Sequence, residues 1–522
     1  MTIIFQIFII CAVFGKLVNQ KPTSVTVIEE VDDEDFNRVD EFYDSAQPSP
    51  VTLTDSPKDF YIGTIRPKIR DQMSEFSLNN EHLREYERRL IIDIRKGLNR
   101  QSHNNSIVKC FITYIQDLPT GQETGTFLAV DLGGTNFRVL MVELDGKEKL
   151  KMTTMQFAVP QEKMLGSGHD LFDFLAQCIS IFAEKHNLKS TNIVYSMGFT
   201  FSFPLVQKSL NKALIDRWTK GFNCTDVIGK DVVKLLQEAL RAIGIKNIKI
   251  KVVLNDTAGT LISGAWKNSA CRIGLIVGTG TNVCYMEKQS NAQLFDLENK
   301  GSGNVLINTE WGAFGDDGTL DFIRNKYDFE LDDHTINPGL QLHEKMISGM
   351  YMGELVRIII EKAVKNNALF GGKGSTALFT RNRFFTEYVS KIEAQKKFKH
   401  ETCMYIFAEL GIPHVTPDDC INVRYICESV STRAAHMLAA GICGIIRQMG
   451  EKNLAIGIDG SVYIHHPNVH KLITEKIQEL VMPGVEFKLI LSEDGSGRGA
   501  ALAAAVAAKY ERKTLIDSDA EI

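Results

Sequence analysis

Two short segments place glycine, threonine and asparagine at the tip between apolar runs: LAVDLGGTNFRVLMV (128–142) and GLIVGTGTNVCYME (274–287). Such a turn exposes backbone N–H groups, hydroxyls and an amide, all donors suited to phosphate oxygens. In the first, Gly133 and Gly134 let the backbone approach a polyphosphate, Thr135 and Asn136 add side-chain donors, and Arg138 adds charge. Asp131, at the end of a buried strand, can hold Mg²⁺ through water. A lone GG pair reads as an ordinary tight turn, but Asp131, the two glycines, Thr135 and Arg138 together at a strand end point to phosphate, and two related hairpins facing each other would make a clamp. Neither GxxxxGK[ST] nor GxGxxG opens a helix here, which disfavours P-loop and dinucleotide folds.

Asp256 directly follows the run IKIKVVLN (248–255). A carboxylate just past a buried strand can sit at a crevice and take a proton as a general base. It can equally cap the helix beginning near Thr257. Lys220, in WTKGF (218–222), is by itself a solvated surface lysine.

These residues need a scaffold, and the hydrophobic pattern supplies one. Apolar strands (FLAVD, FRVLMVEL, IVYSMGF, IKIKVVL, GLIVG, VCYME, LAIGID, VEFKLIL) alternate with amphipathic helices near 170–187, 231–243, 343–363 and 425–449, and an Ala-rich helix spans about 498–509. The alternation reads as α/β. The folded part begins near residue 78, where Leu83, Tyr86, Leu90, Ile91 and Ile94 recur at helical spacing.

The chain has 522 residues with 59 Lys+Arg against 64 Asp+Glu, a net charge of −5 that gives no footing for a nucleic-acid binder. At 44% hydrophobic and 24% charged it is ordinary globular composition. Ten cysteines without a CxxC pair argue against a zinc framework and fit a reducing compartment. Residues 1–15 (MTIIFQIFIICAVFG) are apolar, short for a membrane span, and lack a basic n-region; they fit a membrane-associating leader or an extension without catalytic role.

The segments together resemble the hexokinase family, in order, over about residues 80–510. The first turn is joined by MGFTFSFP with WTKGF, VLNDTAGT, GLIVGTGTN, INTEWGAFG, NPGLQLHEKMISGMYMGE, IGIDGSVY and SEDGSGRGAAL. The resemblance implies the actin-like (ribonuclease H-like) fold of two α/β lobes around a cleft. It implies MgATP and a hexose such as glucose as substrates, Asp256 as general base toward the sugar 6-hydroxyl, and Lys220 neutralising charge beside it. Ser202, Thr219, Lys220, Asn255, Asp256, Asn282, Glu310, Gln341 and Glu344 would ring the sugar. Asp131, Gly133, Gly134, Thr135, Asn136, Arg138, Thr279, Gly349, Met350, Thr386, Asp459, Gly460, Ser461 and Gly495 would hold the nucleotide, with a helix from Gly497 aiming its N-terminus at phosphate. Inhibition by glucose 6-phosphate would use Asp131, Thr135, Ser202 and Ser461.

By the same resemblance, the expected division is an N-terminal segment and acidic linker (1–60), a large domain (61–121 and 255–494), a small domain (122–254 and a returning helix, 495–512), and a tail (513–522). The chain departs from the family pattern at Leu340, His343 and Lys288 and over 378–385; His343 is a possible titrating neighbour near the cleft, although a lone histidine is more often structural. The expected setting is cytosolic, with possible association to a mitochondrial or other organelle membrane through residues 1–15. The rival class is a catalytically silent sugar sensor or scaffold. An actin-type ATPase would share the turns but leave the sugar set unexplained.

Overall fold

The computed structural model describes residues 25–26 and 64–520, apart from 135, 148, 190–191, 219–220, 298–300, 397–398 and 493. The apolar run at 1–15 and nearly all of the acidic linker lie outside the described residues.

Two six-stranded sheets carry the fold. The first runs in the order β1 (Val25–Thr26), β5 (Leu150–Ala158), β4 (Asn136–Asp145), β3 (Thr124–Leu132), β6 (Tyr195–Phe201), β9 (Ile248–Leu254). The second runs β14 (Glu486–Leu491), β13 (Asn453–Asp459), β10 (Cys271–Val277), β11 (Thr281–Lys288), β12 (Asn304–Asn308), β2 (Phe111–Ile112). A small antiparallel pair, β7 (Leu205–Ser209) and β8 (Lys212–Ile215), stands apart.

Both sheets are built alike. Three antiparallel strands (β3–β4–β5 and β10–β11–β12) are extended on one side by two parallel ones (β6 and β9; β13 and β14). The similarity between the two Gly-Thr-Asn turns therefore extends to whole sheets. Parallel neighbours need helical crossovers, and the sequence provides capped ones. In the first unit, α2 (Gly168–Lys185) starts at Ser167 and α3 (Val232–Ala242) at Asp231, each side chain accepting a first-turn N–H. In the second, α8 (Pro417–Met449) opens with a Thr416/Asp419 capping box and Pro417, and closes at Gly450 in the left-handed region. This helix is long and apolar enough to cross a membrane, but 83% of its apolar window is buried in the protein, as befits a core helix.

Against α8 packs α1 (Asn80–Leu98), with Leu83, Tyr86, Leu90 and Ile94 buried as their spacing predicts. The helix expected over 343–363 is two, α5 (Leu342–Ile347) and α6 (Gly349–Lys365), because Ser348 is extended (φ −79°, ψ 159°).

The last parallel strand of each sheet feeds a helix at the contact between the two units. α4 (Asp256–Lys267) follows β9 and packs on β10, β11 and β13; α11 (Gly495–Ala520) follows β14 and packs on β3, β4, β6 and β9. The two helices also pack on each other, closely enough that a Cβ on Gly499 would stand 2.0 Å from the Gly259 carbonyl oxygen. The small residues of the Ala-rich run are thus spent on backbone approach. This helix begins two residues before Gly497 and continues to Ala520, past the expected stop near 509.

Candidate active site

The first turn is held by charge. Arg138 stands opposite Asp131 in the β3–β4 register and reaches three partners: Asp131, Asp494 and the Ser496 hydroxyl (2.9 Å). Ser496 in turn donates to Asp131 Oδ2 (2.9 Å). The strand end is thereby tied to the start of α11. Among the described residues Asp131 Oδ1 is buried without a partner, which is costly unless something else satisfies it. Among the described residues, a Cβ added at Gly133 or Gly134 would meet nothing within 4 Å. An orphaned carboxylate oxygen beside open space fits a water-bound cation and a phosphate. Ser202, buried, joins this turn through its N–H to the Leu132 carbonyl (3.1 Å).

The second turn is held by backbone. The N–H groups of Gly349 and Met350, at the start of α6, donate to the carbonyls of Gly278 (2.9 Å) and Thr279 (3.1 Å). The Thr386 hydroxyl, at the start of α7 (Thr386–Ala394), donates to the Gly349 carbonyl (2.5 Å) and accepts from the Gly353 N–H (2.9 Å). These groups brace the turn, which leaves Thr279 exposed. Gly460 needs to be glycine: its φ is +115°, and a Cβ would lie 2.5 Å from the Val277 carbonyl carbon and oxygen. Ser461, at the start of α9 (Ser461–His465), is exposed.

Asp459 links the two turns. It pairs with Ile276 in the parallel β10–β13 register. Its Oδ1 accepts the Gly460 N–H (2.7 Å) and its Oδ2 the Gly495 N–H (3.1 Å). The N-terminus of α11 therefore spends its first amide on Asp459 rather than presenting it freely. Burial pushes the Asp459 carboxyl above its ordinary value; the two N–H groups and Arg138 oppose that, while Asp256 adds to it.

Asn255, not Asp256, caps α4: its Oδ1 accepts the Thr257 N–H (2.8 Å). Asp256 is the first helical residue; its Oδ1 accepts the same N–H (2.8 Å) and the Thr257 hydroxyl (3.3 Å). Among the described residues Asp256 Oδ2 has no partner. The Cys284 thiol donates to the Thr257 carbonyl (3.1 Å), which fixes this helix start over the face of β11 that also carries Asn282, two residues earlier.

On that strand a polar cluster converges. The Asn282 amide donates to Asn308 Oδ1 (2.8 Å) and to Glu310 Oε1 (3.3 Å), and the Asn308 amide donates to the same Glu310 oxygen (2.8 Å). Glu344, in the first turn of α5, accepts the Thr281 N–H (3.0 Å). Glu310 and Gln341 both sit in the left-handed region (φ 55° and 60°), an uncommon conformation for such residues. A Cβ at Gly312 would stand 2.4 Å from Gln341 Oε1, so the small residue beside Trp311 makes room for that amide.

Two sequence readings are resolved. Trp311 is fully buried, its indole N–H toward the Thr281 hydroxyl (3.3 Å), and so belongs to the core. His343 is fully buried too. Nδ1 faces the Trp311 carbonyl (3.0 Å) and must donate, so Nε2 accepts from the Tyr86 hydroxyl (2.6 Å). Burial lowers its pKa to about 3, so it stays neutral and does not titrate beside the sugar residues.

Thr135, Thr219 and Lys220 lie outside the described residues. Asn136 opens β4 and is exposed. Sequence reasoning passed over Asn308, Ser496 and Asp494, although each stands within two residues of a candidate, in INTEWGAFG or SEDGSGRGAAL. An acceptor-rich Glu flanked by a strand-end Asn was the available signal.

Hexokinase sequence profiles match residues 68–266 and 272–506. Hexokinase-2 of Homo sapiens is 42% identical over 448 residues, which are 84% of this chain and 48% of that protein; the chain thus spans about half the length of this relative. A hexokinase of Brugia malayi is 37% identical over 464 residues, covering 88% of this chain and 81% of the relative. The structure of a Schistosoma mansoni hexokinase complexed with glucose superposes with a TM-score of 0.78 at 41% identity, covering 87% of this chain and all of that one. The fold is the two-lobed, actin-like sugar-kinase fold. With its duplicated sheets, its paired turns and these relatives, the chain belongs to the hexokinase family.

Proposed function

We propose that this chain transfers the γ-phosphoryl group of MgATP to the 6-hydroxyl of glucose or a related hexose, with Asp256 as general base. The observation that carries the reading is the placement of Asp256: Oδ2 is unengaged among the described residues, on a helix start fixed over the strand of Asn282, while Asp459 feels both Asp256 and Arg138. The Asn282–Asn308–Glu310 cluster, with Glu344 and Gln341 on neighbouring segments, has the mix of amides and carboxylates that sugar hydroxyls require. Ser202, Thr219, Lys220 and Asn255 would complete the proposed sugar set.

Phosphoryl transfer asks mainly for positioning and charge neutralisation. Asp131 would hold the cation through water, and Mg²⁺ would supply neutralisation of the developing phosphate charge. Gly133, Gly134, Thr135, Asn136 and Thr279 would receive phosphate oxygens, and Asp256 would take the hydroxyl proton. Gly349, Met350, Thr386, Gly460 and Gly495 would act on the nucleotide by fixing its turns. We also propose that the units 61–121 with 255–494, and 122–254 with 495–512, move as lobes and close on sugar, so that water is excluded. A cytosolic setting is supported by the nine described cysteines, all free and buried.

The test is ADP release by the full chain with MgATP and either no sugar, glucose or 6-deoxyglucose. Release with glucose alone, matched by hexose 6-phosphate, is expected. Glucose binding by calorimetry without turnover would point to a sensor or scaffold, and turnover indifferent to sugar would point to an ATPase.

A further inference from the structure

Residues 337–345 carry both Gln341 and Glu344, and two carboxylates from outside this strap hold it. Asp316, half-buried just past Trp311–Ala313, accepts the N–H groups of Gln341 (Oδ2, 3.0 Å) and Leu342 (Oδ1, 2.9 Å). Asp332, at the end of the helix Lys326–Asp333, accepts the Gly339 N–H (3.0 and 3.2 Å). It also receives the buried Lys345 ammonium (2.7 Å), which in addition donates to the Asn337 carbonyl (2.7 Å). Asp332 pins the N-terminal half of the strap, and Asp316 pins the point where it turns into α5. The Asp316 bonds fall on the residue whose left-handed backbone aims the Gln341 side chain.

We propose that Asp316 is a positioning residue for hexose binding: by accepting the Gln341 and Leu342 N–H groups it fixes the strap so that Gln341 and Glu344 face the sugar. The proposal rests on the hexose reading above. Asp316 never touches the sugar; it acts through the backbone of a residue that does.

A pH signature follows. Burial raises the Asp316 carboxyl to about 6, opposed by the two N–H groups and by the Lys345 ammonium and reinforced by Asp332. Above that pH both oxygens accept. Below it one oxygen carries a proton that confronts an N–H, and the strap is released at Gln341. A carboxyl held above its ordinary value contributes stability that is fully present below the unfolded value and lost as pH rises through about 6. Weakened sugar binding on acidification would therefore run against this group's effect on the fold, and unfolding through Asp316 could not mimic it.

The experiment measures glucose Kd by calorimetry, and glucose KM and kcat, for the full chain and Asp316→Asn between pH 5.5 and 7.5. Wild type should bind glucose several-fold more weakly at pH 5.5 than at 7.5. Asp316→Asn should show KM and Kd raised about tenfold at pH 7.5, kcat within about threefold of wild type, and a flattened pH dependence of Kd. An equal Kd and pH profile in the variant overturns the proposal while leaving the hexose reading intact. Should the variant fail to fold, a wild-type Kd that is flat from pH 7.5 to 5.5 overturns it alone. A wild type that neither binds nor phosphorylates glucose rejects the hexose reading, and the proposal falls with it.

Discussion

The two Gly-Thr-Asn turns occupy equivalent places in two sheets of one topology, yet they are held in opposite ways. The first rests on an ion-pair network, Arg138 with Asp131 and Asp494, tied off by Ser496, while its glycines face open space. The second rests on backbone hydrogen bonds from Gly349 and Met350 and on glycines packed against its own chain, Gly460 against Val277. Glycine thus has different work in each: in the first it leaves room for a ligand, in the second it lets neighbouring backbone in. The same substitution should then fail differently in the two places.

The largest effect is expected at the charged turn. Asp131→Ala removes the orphaned oxygen proposed to hold the cation, and kcat/KM for MgATP should fall about 10²-fold or more, whereas Arg138 keeps Asp494 and the melting temperature should change little. An unchanged kcat/KM would remove Asp131 from the nucleotide site. Next, Gly460→Ala should cost about 3 kcal/mol of stability or prevent folding, from strain at φ +115° and overlap with Val277. Gly134→Ala should melt within about 1 kcal/mol of wild type but bind MgATP more weakly. Equal melting of the two variants would break the contrast.

A smaller change is expected from Asn308→Ala, which leaves Asn282 and Glu310 without a shared partner. Glucose KM should rise about tenfold with the MgATP KM unaltered, because the loss of one buried amide costs on the order of 1–2 kcal/mol. An effect of similar size, on stability alone, is expected from His343→Phe. A histidine with a lowered pKa favours the fold above its unfolded value and loses that contribution as pH falls from about 6.5 toward 3. The variant should therefore lose less stability than wild type between pH 7 and 5, by about 1–2 kcal/mol, as read from chemical melts at the two pH values. A steeper acid loss in the variant than in wild type would mean that folding raises the His343 pKa instead of lowering it.

Much of this was legible in the sequence because strands, turn glycines and acidic strand ends carry local signals. The β3–β4 and β10–β11 hairpins follow from apolar runs broken by Gly-Thr-Asn, and α1 from the spacing of Leu83, Tyr86, Leu90 and Ile94. What could not be read were partnerships across long separations. Asp494 and Ser496 meet Arg138 across more than 350 residues, and Asp316 meets Gln341 across 25. No periodicity encodes such pairs. The break at Ser348 was hidden for a related reason: it falls where the Gly349 N–H donates to the Gly278 carbonyl, a partner distant in sequence. His343 looked like a titrating neighbour because its exposure is a tertiary property.

The central claim, that Asp256 takes the proton of a hexose hydroxyl during phosphoryl transfer, is tested most directly by the glucose stimulation of ADP release in Asp256→Ala beside wild type. The account predicts strong stimulation in wild type and a rate lowered by about 10²–10⁴-fold in the variant, with MgATP affinity retained. A variant that released ADP with glucose at close to the wild-type rate would contradict it.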